Sequence, residues 1–414
     1  SGIIANSGTL TLGGSSSKYL NAQLNNTGAI LENDSILAFN DGAILNNSGN
    51  YELQSGDICN SYFSVGTFNN SGTFKKTTTS TGTISVAFNN TATVNVESGT
   101  LNITGGGVSN GGNFNLTSGK TLGFGGGVYT LNNGAKINGS GNLSVSSGTL
   151  DVKLAGGTAI ANTVQFTLGG GTFQVDGNWN LPTTNNWNGG TLKSSGIITN
   201  SGNLTLGGYD DKYLNTQLDN TGTIVQNDNR LFFNDGAILN NSGNYELQSG
   251  EIRNSSASVG TFNNSGTFKK TTTGTGTIRT AFNNTGTVNV ESGTLNIWGG
   301  VSNGGNFNLT SGQTLGFGGG VYTLSNGAKI NGSGNLSVTG GTLDVKLAGG
   351  TAIANTVLFT LSDGTFQVDG NWNLLTTNNW NGGTLKSAGI ITNSSTLTLG
   401  GSSSSSYKYL NTQL

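Results

Sequence analysis

The sequence predicts an all-β chain wound as a right-handed parallel β-helix, or β-solenoid, with about 20–22 residues per coil. Three observations predict it. The chain is glycine-rich and poor in charge: 71 of its 414 residues are Gly, 9% are charged and 33% hydrophobic, with one Pro and no His. A seven-residue corner recurs at nearly constant spacing. Between corners, apolar and polar residues alternate over four or five positions, which is the period of half-buried strands rather than helices.

The composition narrows the alternatives. So few apolar side chains would hardly fill a conventional core of this length, whereas one narrow axial core fed by alternate strand residues needs no more. Abundant Gly and Ser signify disorder only where no period is present, and a net charge of −2 lacks the self-repulsion that holds disordered chains open. With 17 basic against 19 acidic residues there is no electrostatic footprint for nucleic acid. No apolar run is long enough to insert in a membrane. The chain opens at Ser1 with neither an initiator Met nor a signal peptide, which reads as a processed chain or an excerpt of a longer one.

Repetition runs on two scales. Ser1-Gly2-Ile3-Ile4 returns as Ser195-Gly196-Ile197-Ile198 and again as Ala388-Gly389-Ile390-Ile391. Leu45 to Gly56 recurs unchanged as Leu239 to Gly250, and one residue is lost where Thr104-Gly105-Gly106-Gly107 becomes Trp298-Gly299-Gly300. The expected organisation is a first copy over 1–194, a second over 195–387 and the start of a third over 388–414, in one continuous solenoid.

Inside each copy the corner reads apolar, Asn, any residue, small, Gly, any residue, apolar. It is clearest at Leu24 to Ile30, Leu45 to Tyr51 and Phe68 to Phe74, and weaker at Phe88 to Val94, Val108 to Phe114 and Ile137 to Leu143. From Ile4 the starts step by 20, 21, 23, 20 and 20 residues. Alternating segments follow, such as Thr93-Val94-Asn95-Val96 and Thr100-Leu101-Asn102-Ile103. The inward ladder is expected to hold Leu24, Ile30, Leu45, Tyr51, Phe68, Phe74, Phe88, Val94, Leu101 and Phe114 with their second-copy counterparts. Corner Asn and Gly supply left-handed backbone, and stacked Asn side chains can bond one another as in cross-β ladders. Roughly 19 coils at ~4.8 Å each would make a rod about 90 Å long.

The units Phe88-Asn89-Asn90 to Ser98-Gly99-Thr100-Leu101-Asn102-Ile103 and Ile137-Asn138-Gly139-Ser140-Gly141-Asn142-Leu143 to Ser147-Gly148-Thr149-Leu150 resemble repeats of bacterial large exoproteins, among them filamentous-haemagglutinin-like adhesins and autotransporter passengers. The resemblance covers most of both copies and implies a secreted right-handed β-helix of the bacterial cell surface.

Chemistry is sparse. Without His there is no imidazole base, no Ser-His-Asp triad and no zinc site of the usual ligand sets. Cys59 becomes Arg253 in the second copy, so it belongs to no repeated site. The carboxylates Glu32, Asp34, Asp41, Glu52, Asp57, Glu97, Asp151 and Asp176 are scattered, and Asp41-Gly42, repeated as Asp235-Gly236, reads as a turn. Gly123-Phe124-Gly125-Gly126-Gly127 has no Lys-Ser/Thr after it and is no phosphate loop. No enzyme activity, cofactor or metal is therefore expected.

The candidate contact residues are aromatic. Trp179 and Trp187, repeated as Trp372 and Trp380, and the tyrosines Tyr19 and Tyr213 could stack on sugars, although aromatics of this kind more often fill a core or cap a coil. The Thr run after Lys75-Lys76, matched at Lys269 to Thr273, could make an outward Thr row. The copies also differ at Cys59/Arg253, Tyr62/Ser256, Phe63/Ala257, Ser85/Arg279 and Val86/Thr280. Exchanges that large point most of these positions at solvent or a neighbouring chain, and Tyr62-Phe63 would form a small apolar contact patch.

The expectation is an extracellular structural or adhesive solenoid, either an adhesin stalk or a subunit of a filament built from tandem repeats. Its partners would be copies of itself, head to tail or side by side, and host-cell or matrix glycans. The alternative is a carbohydrate-binding or carbohydrate-active β-helix of the lyase or depolymerase type. Uncharged, strand-like residues at both ends would let further copies or another chain continue the stack.

Overall fold

A computed structural model describes residues 2–33, 35–40, 42–227, 229–234, 236–401 and 407–414. It divides into two compact units, Ser1–Ile198 and Thr199–Leu414. The division falls close to the first copy boundary read from the sequence, and residues 388–414 belong to the second unit. Each unit by itself is a parallel β-solenoid. The aspartates Asp34, Asp41 and Asp235, and with the last two the Asp-Gly turns, lie outside the described residues.

Three strands make one turn. In the first unit, face 1 stacks Ile3–Asn6, Gln23–Asn26, Ile44–Asn47, Thr67–Asn70 and Ala87–Asn90, parallel and in register. Face 2 stacks Thr9–Leu12, Ala29–Glu32, Asn50–Leu53, Thr73–Lys76 and Thr93–Val96. Face 3 stacks Lys18–Leu20, Ser35–Phe39, Gly56–Asn60, Thr81–Ile84 and Thr100–Ile103. Most strands are four residues long and alternate half-buried with buried, so each sends two side chains inward. Backbone groups pair with the turns before and after, which satisfies them without a globular interior.

The core is the ladder that the alternation predicts. Leu24, Ile30, Leu45, Tyr51, Phe68, Phe74, Phe88, Val94, Leu101 and Phe114 are all buried, as are Leu218, Ile224, Leu239, Tyr245, Phe262, Phe268, Phe282, Val288, Leu295 and Phe307. Tyr51 and Phe74, neighbours on face 2, stack with ring centroids 5.4 Å apart, while Phe68 on face 1 meets Tyr51 edge-on at 5.0 Å. The second unit repeats this packing with Tyr245, Phe268 and Phe262. Each such ring removes some 150–250 Å² from water.

Two rows of Asn edge face 1. The last residue of each strand points inward, and its Nδ2 donates to the Oδ1 one turn on: Asn6 to Asn26 (2.7 Å), Asn26 to Asn47 (2.7 Å), Asn47 to Asn70 (2.8 Å) and Asn70 to Asn90 (2.8 Å). The sequence steps between them are 20, 21, 23 and 20 residues. Each Nδ2 also meets a face 2 carbonyl beyond the corner, as Asn26 does with Asn50 O at 3.1 Å. The residue before it points outward and donates the other way, Asn46 to Asn25 and Asn69 to Asn46, both at 2.9 Å. The buried amide thus sits at the position that the corner pattern leaves free.

The corner glycines are required by close stacking rather than by a left-handed backbone. Gly28, Gly49 and Gly72 are absent from the positive-φ glycines, but a Cβ on Gly49 would lie 2.1 Å from the Gly28 carbonyl oxygen, and one on Gly72 2.2 Å from that of Gly49. The corner amides are strand residues too, so the expected left-handed corner is corrected at these positions.

Val86 is a second correction. It is fully buried, and its counterpart Thr280 is 1% exposed. The exchange is tolerated inside because the two side chains have nearly the same shape and the Thr280 hydroxyl donates to the Gly260 carbonyl at 2.6 Å. The Thr run is a third. Alternation turns Lys76 inward, where its ammonium bonds Gln54 O (2.9 Å), Thr78 O (2.6 Å) and Thr78 Oγ1 (3.0 Å), so Thr78 serves a buried lysine rather than an outward Thr row.

In the second unit the repeat does not close on a whole turn. Asn203–Leu206 opens face 2 beneath Thr223–Gln226, whereas its third-copy counterpart Thr396–Leu399 pairs with Thr377–Trp380 on face 3. Residues 212–214 lie on face 3 beside Arg230–Phe233, whereas their counterparts 408–410 pair with 383–385 on face 1. The third copy therefore enters one face later than the second, a third of a turn.

Candidate functional site

Face 3 of the second unit carries a cluster of cation–π contacts and ion pairs. Its strands Arg230–Phe233, Gly250–Asn254, Thr275–Ile278 and Thr294–Ile297 bury Leu231, Ile252, Ile278 and Ile297. The residue after each must then point outward: Phe232, Arg253, Arg279 and Trp298. Tyr213 begins the row, in register with Phe232.

These side chains stack on one another. The rings of Tyr213 and Phe232 lie 5.2 Å apart and nearly parallel. The guanidinium groups of Arg230 and Arg253 sit 5.3 and 5.5 Å from the Phe232 centroid, and that of Arg279 lies 4.0 Å from the Trp298 ring. Glu251 accepts Arg253 at 3.3 Å and pairs with Arg279, while Asp211 takes Arg230 through two bonds of 2.9 Å. Beyond Trp298 lie Gly318 and Gly319, where an added Cβ would come within 3.1 and 3.0 Å of the indole.

The corresponding row of the first unit is Tyr19, Ala38, Cys59, Ser85 and Thr104, small and mostly neutral, with Ser85 and Thr104 hydroxyls 2.7 Å apart. Apart from the tyrosine that begins both rows, the row has been exchanged as a set. The sequence signal was present: Cys59/Arg253 and Ser85/Arg279 stood out as outward positions, but Ala38/Phe232 and Thr104/Trp298 were not joined to them. Only the strand register shows that these sites are neighbours. Because both faces of Phe232 and Trp298 are already covered, the row cannot offer a ring face to a sugar. It is a stacked staple across turns, with each cation–π contact contributing about 0.5–1 kcal/mol at such exposed sites.

The other candidates separate cleanly. Tyr62 and Phe63 are almost wholly exposed (97% and 101%), with Val65 beside them at 73%, on the turn after Gly56–Asn60. Tyr62 holds a φ of 46°, a left-handed conformation uncommon for a bulky residue. Tyr19 is exposed and Tyr213 half-buried in the staple. Trp187 and Trp380 are a correction to the contact-surface expectation: both are buried, and their Nε1 groups donate to Gly190 O and Gly383 O at 3.3 Å, so these rings close a corner. Trp179 is likewise buried at 8% exposure, and Trp372 is half-buried.

The carboxylates are engaged locally. Glu52 accepts Thr77 Oγ1 and Gln54 Nε2, both at 2.9 Å; Asp57 accepts Thr83 N at 3.1 Å; Asp151 pairs with Lys153 at 3.0 Å; Asp176 accepts Leu154 N at 2.9 Å; and Glu97 pairs with Lys75 at 3.6 Å. Among the described residues, no three His, Cys, Asp or Glu side chains converge as a metal site requires. Glu32 is the exception in environment. It is fully buried on face 2, and desolvation raises its pKa to about 7, against the opposing effect of the Tyr51 hydroxyl bonded to it. Burial also holds the Lys76 ammonium below its usual range.

No protein-family model, no curated protein and no solved structure matches this chain.

Proposed function

We propose that this chain is a structural or adhesive solenoid of the cell surface, a segment of stalk or filament built from tandem copies. The observation that carries the reading is the docking of the third copy on the second. Residues 391–392, Thr396–Leu399 and 408–411 continue the parallel ladders from Trp372–Asn373, Thr377–Trp380 and 383–386. The end of one copy is thus a template for the start of the next, and copies can be added without a new interface. A solenoid extended this way gains stability turn by turn through nearest-neighbour contacts.

The surface supports the same reading. Its outward rows of Asn bond one another from turn to turn, and few charges interrupt them. Localisation outside the cell follows from the resemblance to exoprotein repeats, and partners would be further copies and glycans on host cells or matrix. Electron microscopy of the native material tests the reading. Thin unbranched rods or filaments are expected; discrete compact particles would contradict it.

A further inference from the structure

Each copy contains four Asn-Gly pairs, and the fold demands one of them. Asn133-Gly134 turns the strand Val128–Asn132 into Lys136–Gly139, and Ala135 N closes the turn on Asn132 O at 2.9 Å. In the second copy Asn326-Gly327 does the same, with Ala328 N on Ser325 O at 3.0 Å. Both central residues are left-handed, with φ of 48° and 82° in the first copy and 51° and 85° in the second. That is the two-residue turn for which Asn-Gly is the favoured pair. A Cβ on Gly134 would lie 2.7 Å from the Gly156 carbonyl oxygen, and one on Gly327 2.8 Å from that of Gly349.

Asn-Gly carries a chemical liability. The Gly nitrogen loses its proton and bonds to the Asn Cγ, and Nδ2 leaves as ammonia. Water then opens the succinimide ring to Asp or isoaspartate, adding a negative charge. Asn133 and Asn326 are both exposed, so water reaches them.

Neighbouring turns hold the two reacting groups apart. Asn133 Nδ2 donates to Asn110 Oδ1 one turn back, whereas Gly134 N donates to Thr158 Oγ1 one turn on, at 3.1 Å. Thr158 is 5% exposed, and its hydroxyl proton goes to Ala155 O at 3.2 Å, which leaves an oxygen lone pair for Gly134. The second copy repeats each contact: Asn326 to Asn303, Gly327 N to Thr351 Oγ1 at 3.1 Å, and Thr351 Oγ1 to Ala348 O at 3.2 Å. Asn110-Gly111 and Asn188-Gly189 differ, because their Gly nitrogens donate to backbone carbonyls, Asn132 O at 3.1 Å and Leu168 O at 3.3 Å.

We propose that Asn133 and Asn326 are latent deamidation sites, held closed by the hydroxyls of Thr158 and Thr351. Ring closure must break the Gly–Thr bond and swing the carboxamide away from the turn before, so both neighbours oppose it. The proposal concerns the chemical durability of each copy and stands or falls independently of filament assembly.

The test ages the full chain in mildly alkaline buffer and follows both sites by peptide mapping with isoaspartate detection. Both should convert in denaturant and be slower in the folded chain. Thr158→Val removes the hydroxyl at nearly constant shape. It should speed conversion at Asn133 about fivefold, the worth of one ordinary hydrogen bond, and leave Asn326 in the same molecule unchanged. Thr158→Ser should keep Asn133 slow, and hydrogen exchange at Ala135 N should be alike in all three chains. Four results overturn the proposal: folded conversion as fast as in denaturant, no acceleration at Asn133 in the Val variant, rapid conversion in the Ser variant, or lost protection at Ala135.

Discussion

The Tyr51 hydroxyl donates to the Glu32 carboxylate inside the core of the first unit, and in the second unit Tyr245 makes the equivalent bond to Gln226 at 2.6 Å. Gln226 completes its bonding through Nε2 to Asn229 O at 3.0 Å, whereas Glu32 Oε1 has no partner. Ionisation of Glu32 therefore places a partly unpaired carboxylate in the core, where the second unit keeps a neutral amide. The folded pKa of Glu32, about 7, lies above the ordinary 4.5, so the folded state holds the proton longer than the unfolded one. Stability around Glu32 should be greatest below pH 4.5 and fall as pH rises through 7, by on the order of 3 kcal/mol. Glu32→Gln should abolish that slope. Local unfolding free energies from hydrogen exchange, measured across this range, check both statements.

The inward Asn row predicts a cost larger than one hydrogen bond. Asn47→Ala removes the acceptor of Asn26 and the donor to Asn70, stranding two buried polar groups. The expected destabilisation is about 3 kcal/mol, from two penalties of ~1–3 kcal/mol each. Asn46→Ala, in the outer row, should cost less than 1 kcal/mol because water replaces the lost partner. Chemical denaturation of the two variants side by side measures the difference.

Close stacking at the corner predicts that Gly49→Ala is destabilising although its backbone is unstrained. Its Cβ must displace the Gly28 carbonyl, and overpacking of this kind costs about 1–3 kcal/mol. The chain already contains one such exchange, Ala92 for Gly286. Thr93 N meets Gly72 O at 3.2 Å beside Ala92, against 2.9 Å for Thr287 N to Gly266 O beside Gly286. Ala92→Gly should accordingly raise the thermal midpoint, or leave it unchanged; a clear fall would count against the stacking argument.

Truncating a core ring should act locally. Phe74→Ala typically costs about 3–5 kcal/mol, and in a repeat array each turn contacts only its neighbours. Hydrogen exchange should accelerate in Asn50–Leu53 and Thr93–Val96, which pair with the Phe74 strand, and stay unchanged around Phe268. Uniform acceleration along the chain would show a single cooperative unit instead.

The inward ladder was legible because a strand's side chains alternate strictly and the corner marks where alternation restarts. Leu24 through Phe114 follow from those two rules alone. Val86 was misread because a difference in polarity between copies was taken for exposure, when Thr280 keeps the shape and finds a carbonyl. The Arg–aromatic staple was hidden for another reason. Its members lie about a turn apart in sequence, and only register places Phe232, Arg253, Arg279 and Trp298 in one row. Trp187 and Trp380 show that a Trp in a polar segment can close a corner as readily as meet a ligand, and nothing in residue type distinguishes the two.

In-register parallel stacking is the central claim, and disulfide trapping tests it most directly. With Cys59 replaced by Ser, Asn46→Cys and Asn69→Cys place two thiols on register partners of adjacent outward positions, within the ~4.4–6.8 Å Cα separation a disulfide spans. Asn46→Cys with Asn89→Cys places them two turns apart. The first pair should oxidise readily within one chain and the second should not. Efficient closure of the second pair with failure of the first would contradict the solenoid.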